Sequence, residues 1–295
     1  MKRAGLIVLA ALISACFAAF YVSVEKTASH SPIVYLPTNE NHPFRRAETE
    51  LHKGKQVDPD EYTINWTLRS ELNGKATFRQ DFSLLYEDGK LIDRLAEQRE
   101  NAGELYAQKS VRCEDSGHFR AISVHYANFG TDEQHETSLL AMSYDQIYVM
   151  DSPLSETDSF KVPISEEEKE WKSILDHATE EQVQYAWHAL IESFAINRNA
   201  YYSFSLPYLH VFSRNRLPGL TKQQTERALA QLWQTLYSDY VSGVTRKDGE
   251  KTSPIGSTVP LVLFSKNRTG FVVLFKTADG GNVKLEVKLD LGESE

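Results

Sequence analysis

An apolar run near the N-terminus determines where the rest of this chain can lie relative to a membrane. Residues 4–24, AGLIVLAALISACFAAFYVSV, contain no charged side chain, and Lys2 and Arg3 precede them. At about 1.5 Å per residue, a helix of this length spans about 30 Å, the thickness of the hydrocarbon core of a bilayer. The two positive charges favour a cytoplasmic N-terminus. The sequence therefore predicts a single-pass cell-membrane protein, with residues 1–3 cytoplasmic and the bulk of the chain extracytoplasmic.

Cys16 lies in the middle of this run, and three interpretations of the run stay open. In a transmembrane signal anchor, Cys16 is simply a small apolar side chain. Ile13-Ser14-Ala15-Cys16 also resembles a bacterial lipobox, in which the cysteine is lipidated, although the residues that follow stay apolar as far as Val24. A cleaved secretory signal is the third interpretation, but no small-residue cleavage site ends the run. All three place the rest of the chain outside the cytoplasm and beside the membrane.

The composition indicates a globular extracytoplasmic protein. The chain carries 41 Asp and Glu against 32 Lys and Arg, a net charge of −9, which repels phosphate backbones and argues against nucleic acid as a partner. Cys113 is the one cysteine outside the apolar run. It has no intramolecular disulfide partner in the exported part, and no cysteine-based zinc cluster can form. These features suit a bacterial envelope better than the disulfide-rich domains of animal secretion.

The pattern from residue 25 to residue 152 predicts a polar stalk followed by a β-rich section. Residues 25–60 are polar and contain four prolines, so they are expected to lift the folded part off the membrane. In residues 61–152, apolar and polar side chains alternate with the period of a strand. Asn73-Gly74 and Asp88-Gly89 are dipeptides that favour hairpin turns. The section is therefore expected to be an antiparallel β-meander with one face in solvent.

Residues 160–292 show the period of amphipathic helices and then return to strands. Three Ser or Thr residues are followed by Glu or Gln three positions later, a pattern that caps helix N-termini. They are Ser165 with Glu168, Thr179 with Gln182, and Thr221 with Gln224. The apolar segments 259–264, 271–275 and 283–291 predict a C-terminal three-stranded antiparallel sheet. The predicted fold class is α+β, and the section 160–292 could form one domain with the section 61–152.

The sequence contains no motif that predicts a particular catalytic chemistry. It has no HExxH, GxSxG, P-loop, EF-hand or dinucleotide-binding pattern. His177, Glu181, Gln184 and His188 would share one face of an unbroken helix and could supply metal ligands, but Thr179 looks like an N-cap that breaks the helix after His177. A solvated polar face is therefore the interpretation favoured over a metal site. No metal, cofactor or catalytic residue is predicted.

An aromatic stretch bracketed by arginines is the best candidate for a binding surface. In extended form, residues 199–214 would align aromatic side chains on one face, and Tyr and Arg are enriched at interface hot spots. An internal connector, whose aromatic side plugs the core between helices and sheet, is the alternative. The predicted binding residues are Tyr202, Phe204, Tyr208, His210, Arg214 and Arg216.

Topology and the absence of catalytic motifs together favour a non-catalytic function. The chain is predicted to be a membrane-anchored extracytoplasmic protein that binds a protein or envelope partner in an accessory, sensory or regulatory role. One alternative is an extracytoplasmic hydrolase or metal-dependent enzyme that uses the scattered histidines. A structural surface lipoprotein is the other.

Overall fold

A computed structural model describes residues 44–58, 61–129, 137–152, 155–245 and 249–292, all of which belong to one compact unit. The predicted cytoplasmic end, the apolar run with Cys16 and the first part of the stalk lie outside the described residues. Within the described ranges, none of the helices combines the length and the apolar character that crossing a membrane requires.

Six antiparallel strands form the larger sheet. They are β1 (Phe44–Asp58), β2 (Glu61–Glu87), β3 (Lys90–Cys113), β4 (Gly117–Phe129), β5 (Thr137–Ser152) and β6 (Ser155–Phe160). The prediction of a polar stalk is wrong for residues 44–58, because this segment pairs with the first half of β2 and buries Leu51 completely. Its many charged side chains hid the strand pattern in the sequence.

The Asp88-Gly89 turn is confirmed, but the predicted hairpin at Asn73-Gly74 is wrong. Asp88 and Gly89 have φ of 45° and 82° and join β2 to β3 directly. At Asn73-Gly74, β2 instead continues as a strand and turns a corner, where its register with β3 shifts between Glu71 and Ala76. The corner folds the second half of β2 over the first half, so that Ser70 donates a hydrogen bond to Asp81 of the same strand.

This folding brings β1 against β5 and nearly closes the sheet around an interior core. The Thr49 and Ser143 hydroxyl oxygens lie 2.6 Å apart, and the Leu51 N–H donates to Asp145 Oδ2 over 2.7 Å. The apolar end of the interior is filled by aromatic and branched side chains from both halves of β2 and from its neighbours. They include Leu51, Tyr62, Ile64, Trp66, Leu85, Phe119, Ile147 and Val149.

The prediction of an antiparallel meander with one face in solvent is wrong for the centre of this sheet. β3 and β4 do not pair, because β3 occupies one edge of β2 and β4 pairs with the other. Of the residues of β4 from Gly117 to Ala127, only Arg120 is not buried, so both faces of this strand are covered. One face lines the interior of the nearly closed sheet, and the other packs against helices and a second sheet.

Two long helices contribute to this outer layer. They are α1 (Glu166–Ser193) and α2 (Lys222–Leu236), the second continuing into a π-helical turn, Tyr237–Val241. The capping boxes predicted at Ser165 and Thr221 are confirmed. The N-cap predicted at Thr179 is wrong, since Thr179 is buried inside α1 and its hydroxyl donates to Asp88 Oδ1 over 3.2 Å. α1 is therefore one helix of 28 residues.

The predicted C-terminal three-stranded sheet has a fourth strand that comes from the aromatic stretch. Its strands are β7 (Tyr201–Ser205), β10 (Leu261–Ser265), β11 (Gly270–Lys276) and β12 (Asn282–Lys288), in the order β12-β11-β10-β7. Two short strands, β8 (Val244–Thr245) and β9 (Lys251–Thr252), pair separately. The described chain is thus an α+β protein dominated by antiparallel sheet.

Candidate functional site

β7 lies at the edge of the small sheet, and β10 is the one described strand that pairs with it. The Lys266 N–H donates to Ala200 O over 2.8 Å, and the Leu206 N–H donates to Pro260 O over 3.0 Å. Because hydrogen-bonded pairs alternate along an antiparallel ladder, Tyr202 and Phe204 face β10 with their backbone groups. The N–H and C=O of Ser203 therefore point to the open edge, and so does the N–H of Ser205.

The side chains of β7 carry no charge, unlike those of the opposite edge of the sheet. β12 exposes Lys284 and Glu286, and charged side chains on an edge strand discourage pairing with another chain. β7 reads Tyr-Tyr-Ser-Phe-Ser and has no such protection. Among the described strands of the small sheet, it is the edge best suited to accept an additional strand.

Two of the predicted binding residues, Phe204 and Tyr208, form an aromatic cluster with Phe212 beside this edge. The rings of Phe204 and Tyr208 stack with centroids 6.0 Å apart, and Phe212 packs edge-on against Phe204 at 5.0 Å. Tyr202 stacks on Phe264 of β10 at 6.3 Å. Tyr202 and Tyr208 are 38% and 48% exposed, so part of each ring faces solvent.

The extended conformation assumed for residues 199–214 holds only for the first part of the stretch. After Ser205 the chain turns into a 3₁₀ helix, Leu206–Ser213, which buries Leu206 and Leu209 in the core. The stretch is therefore partly a connector that plugs the core and partly an exposed surface. Pro207 at the start of the helix was the signal against a continuous strand.

The predicted cations flank the aromatic cluster in the chain. Arg214 and Arg216 follow the 3₁₀ helix, Arg198 precedes β7, and all three are exposed. None of the three guanidinium groups is paired with a carboxylate of the described residues. Lys266 adds a fourth positive charge, since its Nζ lies 5.6 Å from the centroid of the Tyr202 ring. Positive side chains thus stand on both sides of β7 and the aromatic cluster in the chain, and Lys266 contacts a side chain of β7 directly.

His210 belongs to a different surface from the other predicted residues. Its ring stacks on Tyr144 of β5 with centroids 4.3 Å apart, and its Nδ1 lies 2.7 Å from Pro207 O. The sequence reasoning missed Tyr144, because β5 is distant in the chain. The pKa of the Tyr144 hydroxyl is raised to about 12 by burial, against the opposing effect of the nearby Arg120 charge.

A polar cluster that the sequence reasoning missed joins β4 and β5 to α1. His118 Nδ1 lies 3.2 Å from Asp176 Oδ1, and the Tyr148 hydroxyl donates to the same oxygen over 2.9 Å. Lys172 binds the other oxygen of this carboxylate. Partial burial opposes ionisation of Asp176, but the hydrogen bonds from His118, Lys172 and Tyr148 outweigh it and hold the pKa of Asp176 well below its usual value.

The interior of the larger sheet contains a buried chain of polar groups. Ser143 Oγ lies 2.7 Å from His125 Nε2, and His125 Nδ1 lies 3.5 Å from Asp81 Oδ2. The order serine, histidine, aspartate is that of a nucleophile, its base and an orienting acid. His125 and Asp81 are completely buried, however, and the Ser143 hydroxyl is also held by Thr49. The arrangement therefore fits a core network better than a reactive site.

An acidic cavity of ≈ 480 Å³ lies between the β2–β3 hairpin and α1. Glu87, Asp88, Cys113 and Asp115 are among its lining residues. Burial, followed by the charges of Asp88 and Asp115, raises the pKa of Glu87 to about 7. Burial and the charge of Glu87 raise the pKa of the Cys113 thiol to about 12, which leaves this thiol protonated and unreactive at neutral pH.

The histidines of α1 stay on the helix surface. His177 Nε2 lies 3.3 Å from Glu181 Oε1, and the two side chains are 75% and 70% exposed. The continuous helix does place His188 on the same face. Among the residues that the structure describes, no three His, Cys, Asp or Glu side chains come close enough together to hold a metal ion.

No protein-family model matches the chain, and no curated protein matches its sequence significantly. The candidate site therefore stands on its geometry alone.

Proposed function

We propose that this chain is a non-catalytic binding protein that accepts an extended segment of a partner protein at the edge of β7. The observation that carries the proposal is the uncharged edge strand, on which the backbone groups of Ser203 are available to another strand. Strand addition supplies affinity through main-chain hydrogen bonds, and side-chain pockets supply specificity.

The surroundings of β7 indicate the chemistry of that segment. Tyr202, Phe204 and Tyr208 offer aromatic surface for one face of an added strand, where alternate side chains would pack. Arg198, Arg214 and Arg216 favour carboxylates at the ends of the segment. The partner segment is therefore extended, carries apolar side chains at alternate positions and is acidic at its flanks.

The proposed location is the outer face of a cell membrane. It rests on residues 4–24 and on the flanking Lys2 and Arg3. With a signal anchor, the protein would hold its partner at the envelope surface in an accessory or regulatory role. The proposed partners are thus the membrane itself and an envelope protein. Nucleic acid is not a proposed partner.

Two variants at one position test the strand-addition proposal. Ser203→Pro removes the outward-facing N–H without removing a ladder bond to β10, and Ser203→Ala keeps that N–H. Full-length protein would be purified from membranes in mild detergent after crosslinking, and the crosslinked partner quantified by mass spectrometry. Wild type and Ser203→Ala are expected to recover the same partner, and Ser203→Pro at least about tenfold less, a loss of about 1.4 kcal/mol.

Charge reversal supplies the second arm of this test. Arg214→Glu combined with Arg216→Glu should weaken the same complex, more strongly at low salt than at high salt. Arg99→Glu on the exposed side of β3 is the matched control and should have no effect. Equal recovery of the partner by Ser203→Pro and Ser203→Ala would rule out strand addition, and recovery of the chain's own crosslinked dimer alone would replace the partner with a second copy.

A further inference from the structure

A second surface, independent of β7, contains two adjacent polar groups without a described partner. Arg120 of β4 stands between Tyr86 of β2 and Gln146 of β5 in the register of the sheet. Side chains alternate across a strand, so Arg120 lies on the same face as His118, towards the helices. Arg120, Tyr144, Gln146 and His210 are each half-buried, so this face is open to solvent around them.

The guanidinium of Arg120 makes no hydrogen bond or ion pair with any described residue, and its Nε is fully buried. An arginine offers five N–H donors, and leaving them unsatisfied in a half-buried place is costly. The acidic group of this cluster, Asp176, is already bound by His118, Lys172 and Tyr148. Arg120 is therefore a cation whose counter-ion the described part of the protein does not supply.

Gln146 adds a second donor at the same place. Its Oε1 accepts a hydrogen bond from the Tyr144 hydroxyl over 2.9 Å and faces His118 Nε2 at 3.1 Å. With its oxygen fixed by these two contacts, its amide N–H₂ is the remaining polar group, and no described residue accepts from it. Neighbouring strands place this amide beside Arg120, so two kinds of donor converge where the protein provides no acceptor.

The charges around Arg120 select the ligand. Arg120 and Lys172 are positive and Asp176 is negative, so a ligand with one negative charge would neutralise the net charge of these three groups. A carboxylate matches the planar fork of a guanidinium with two parallel hydrogen bonds. The stacked rings of Tyr144 and His210 provide an aromatic wall for the body of the ligand.

We propose that Arg120 and Gln146 form a binding site for a small monocarboxylate with a flat apolar body, which packs beside Tyr144 and His210. The acid binds as its carboxylate, with both oxygens on the Arg120 guanidinium and one also accepting from the Gln146 amide. No covalent step is involved. The site is a ligand site on the layer between sheet and helices, and it does not depend on a partner at β7.

The test uses benzoate as the probe and full-length protein in detergent. Saturation-transfer NMR and calorimetry would be recorded up to about 20 mM benzoate, where a millimolar complex is largely formed. Wild type should bind benzoate saturably, whereas benzamide, the uncharged analogue, and inorganic phosphate should bind at least about tenfold more weakly. Arg120→Gln should weaken benzoate binding at least about tenfold, and Gln146→Leu should weaken it several-fold. Arg99→Gln, an exposed arginine elsewhere on the sheet, should leave it unchanged.

Three results would overturn the proposal. They are no saturable benzoate binding by wild type, equal binding by wild type and Arg120→Gln, and equal binding of benzoate and benzamide. Thermal unfolding provides a separate check, because an arginine without a partner should be replaceable at little cost. Arg120→Gln should therefore unfold within a few degrees of wild type, and failure of this variant to fold would contradict the description of Arg120 as unpartnered.

Discussion

Trp66 Nε1 donates a hydrogen bond to Ser83 Oγ over 3.1 Å, although the two residues belong to the same strand and are 17 positions apart. Two residues 17 positions apart in a straight strand would lie more than about 50 Å from each other. The contact exists because β2 turns a corner near Gly74, where φ is +118°. The first half of the strand therefore packs over the second half, and this folding creates the interior that holds the buried polar groups.

Removing the charge of Asp81 should destabilise the protein strongly. Arg79 and Asp81 are both fully buried, and their charged atoms lie 3.5 Å apart. Burial lowers the pKa of Arg79, and the Asp81 carboxylate opposes this effect. Asp81→Asn leaves the Arg79 charge without its counter-ion, which typically costs about 3–5 kcal/mol.

Urea denaturation measures this cost, with Glu97→Gln as the control. Glu97 and Arg99 form an exposed pair at 3.9 Å, for which a loss of at most about 1 kcal/mol is expected. A loss below about 1 kcal/mol for Asp81→Asn would contradict the buried-pair description.

Gly89→Ala should weaken the contact between the β2–β3 turn and α1. Gly89 has φ of +82°, and an added Cβ would lie 2.3 Å from Val183 Cγ2. The expected loss is about 2–4 kcal/mol, of which about 1 kcal/mol comes from backbone strain alone. Gly249→Ala isolates the strain, because Gly249 has φ of +87° and open space around it. Equal losses in thermal unfolding for the two variants would show that Val183 does not constrain the turn.

Asp176→Asn should lower the stability of the protein more at neutral pH than at acidic pH. The pKa of Asp176 in the folded protein lies below the value of about 4 expected in the unfolded chain. Ionised Asp176 therefore stabilises the fold above about pH 4, and this contribution is lost as the pH falls through the folded pKa. The variant should be less stable than wild type at pH 7, with a difference that shrinks below pH 4.

Urea midpoints recorded from about pH 7 to pH 2 provide the measurement. Glu180→Gln, on the exposed side of α1, is the control and should differ little from wild type at any pH. A deficit of Asp176→Asn that stays constant down to pH 2 would contradict the role assigned to this carboxylate.

The N-terminal peptide should keep its apolar run and an unmodified Cys16. A signal anchor predicts that intact mass spectrometry of the full chain finds no acyl group and no cleavage within residues 4–24. A mass that corresponds to a chain beginning at an acylated Cys16 would establish a lipoprotein instead. A chain that begins after residue 24 without a lipid would show a cleaved secretory signal and remove the membrane from the proposal.

Local signals in the sequence predicted the local elements well. The capping boxes at Ser165 and Thr221 satisfy backbone groups within one turn, and the Asp88-Gly89 turn depends on two adjacent φ values, so neither needs the rest of the fold. The N-cap predicted at Thr179 is wrong because its hydroxyl bonds to Asp88, a residue distant in the chain, and not to the backbone of its own helix. The α+β class followed from these local patterns.

Long-range relationships could not be predicted in this way. A corner within one strand and a hairpin turn share the same Asn-Gly signal, and only the packing of Trp66 against the later half of β2 distinguishes them. The same distinction between local and long-range signals applies to the residues of the candidate sites. Tyr202, Phe204 and Tyr208 were predicted from their own segment, whereas Tyr144, Gln146 and Arg120 come together through strand pairing that spacing alone does not reveal.

Amide hydrogen exchange at Ser203 measures whether a partner strand pairs with the open edge of β7. The Ser203 N–H points away from β10. The N–H of Phe204, the next residue of β7, is already hydrogen-bonded to β10. When the crosslinked partner, or a peptide of its bound segment, is added, exchange at Ser203 should slow at least about tenfold, while Phe204 should change little. Unchanged exchange at Ser203 in a saturated complex would contradict strand addition at β7.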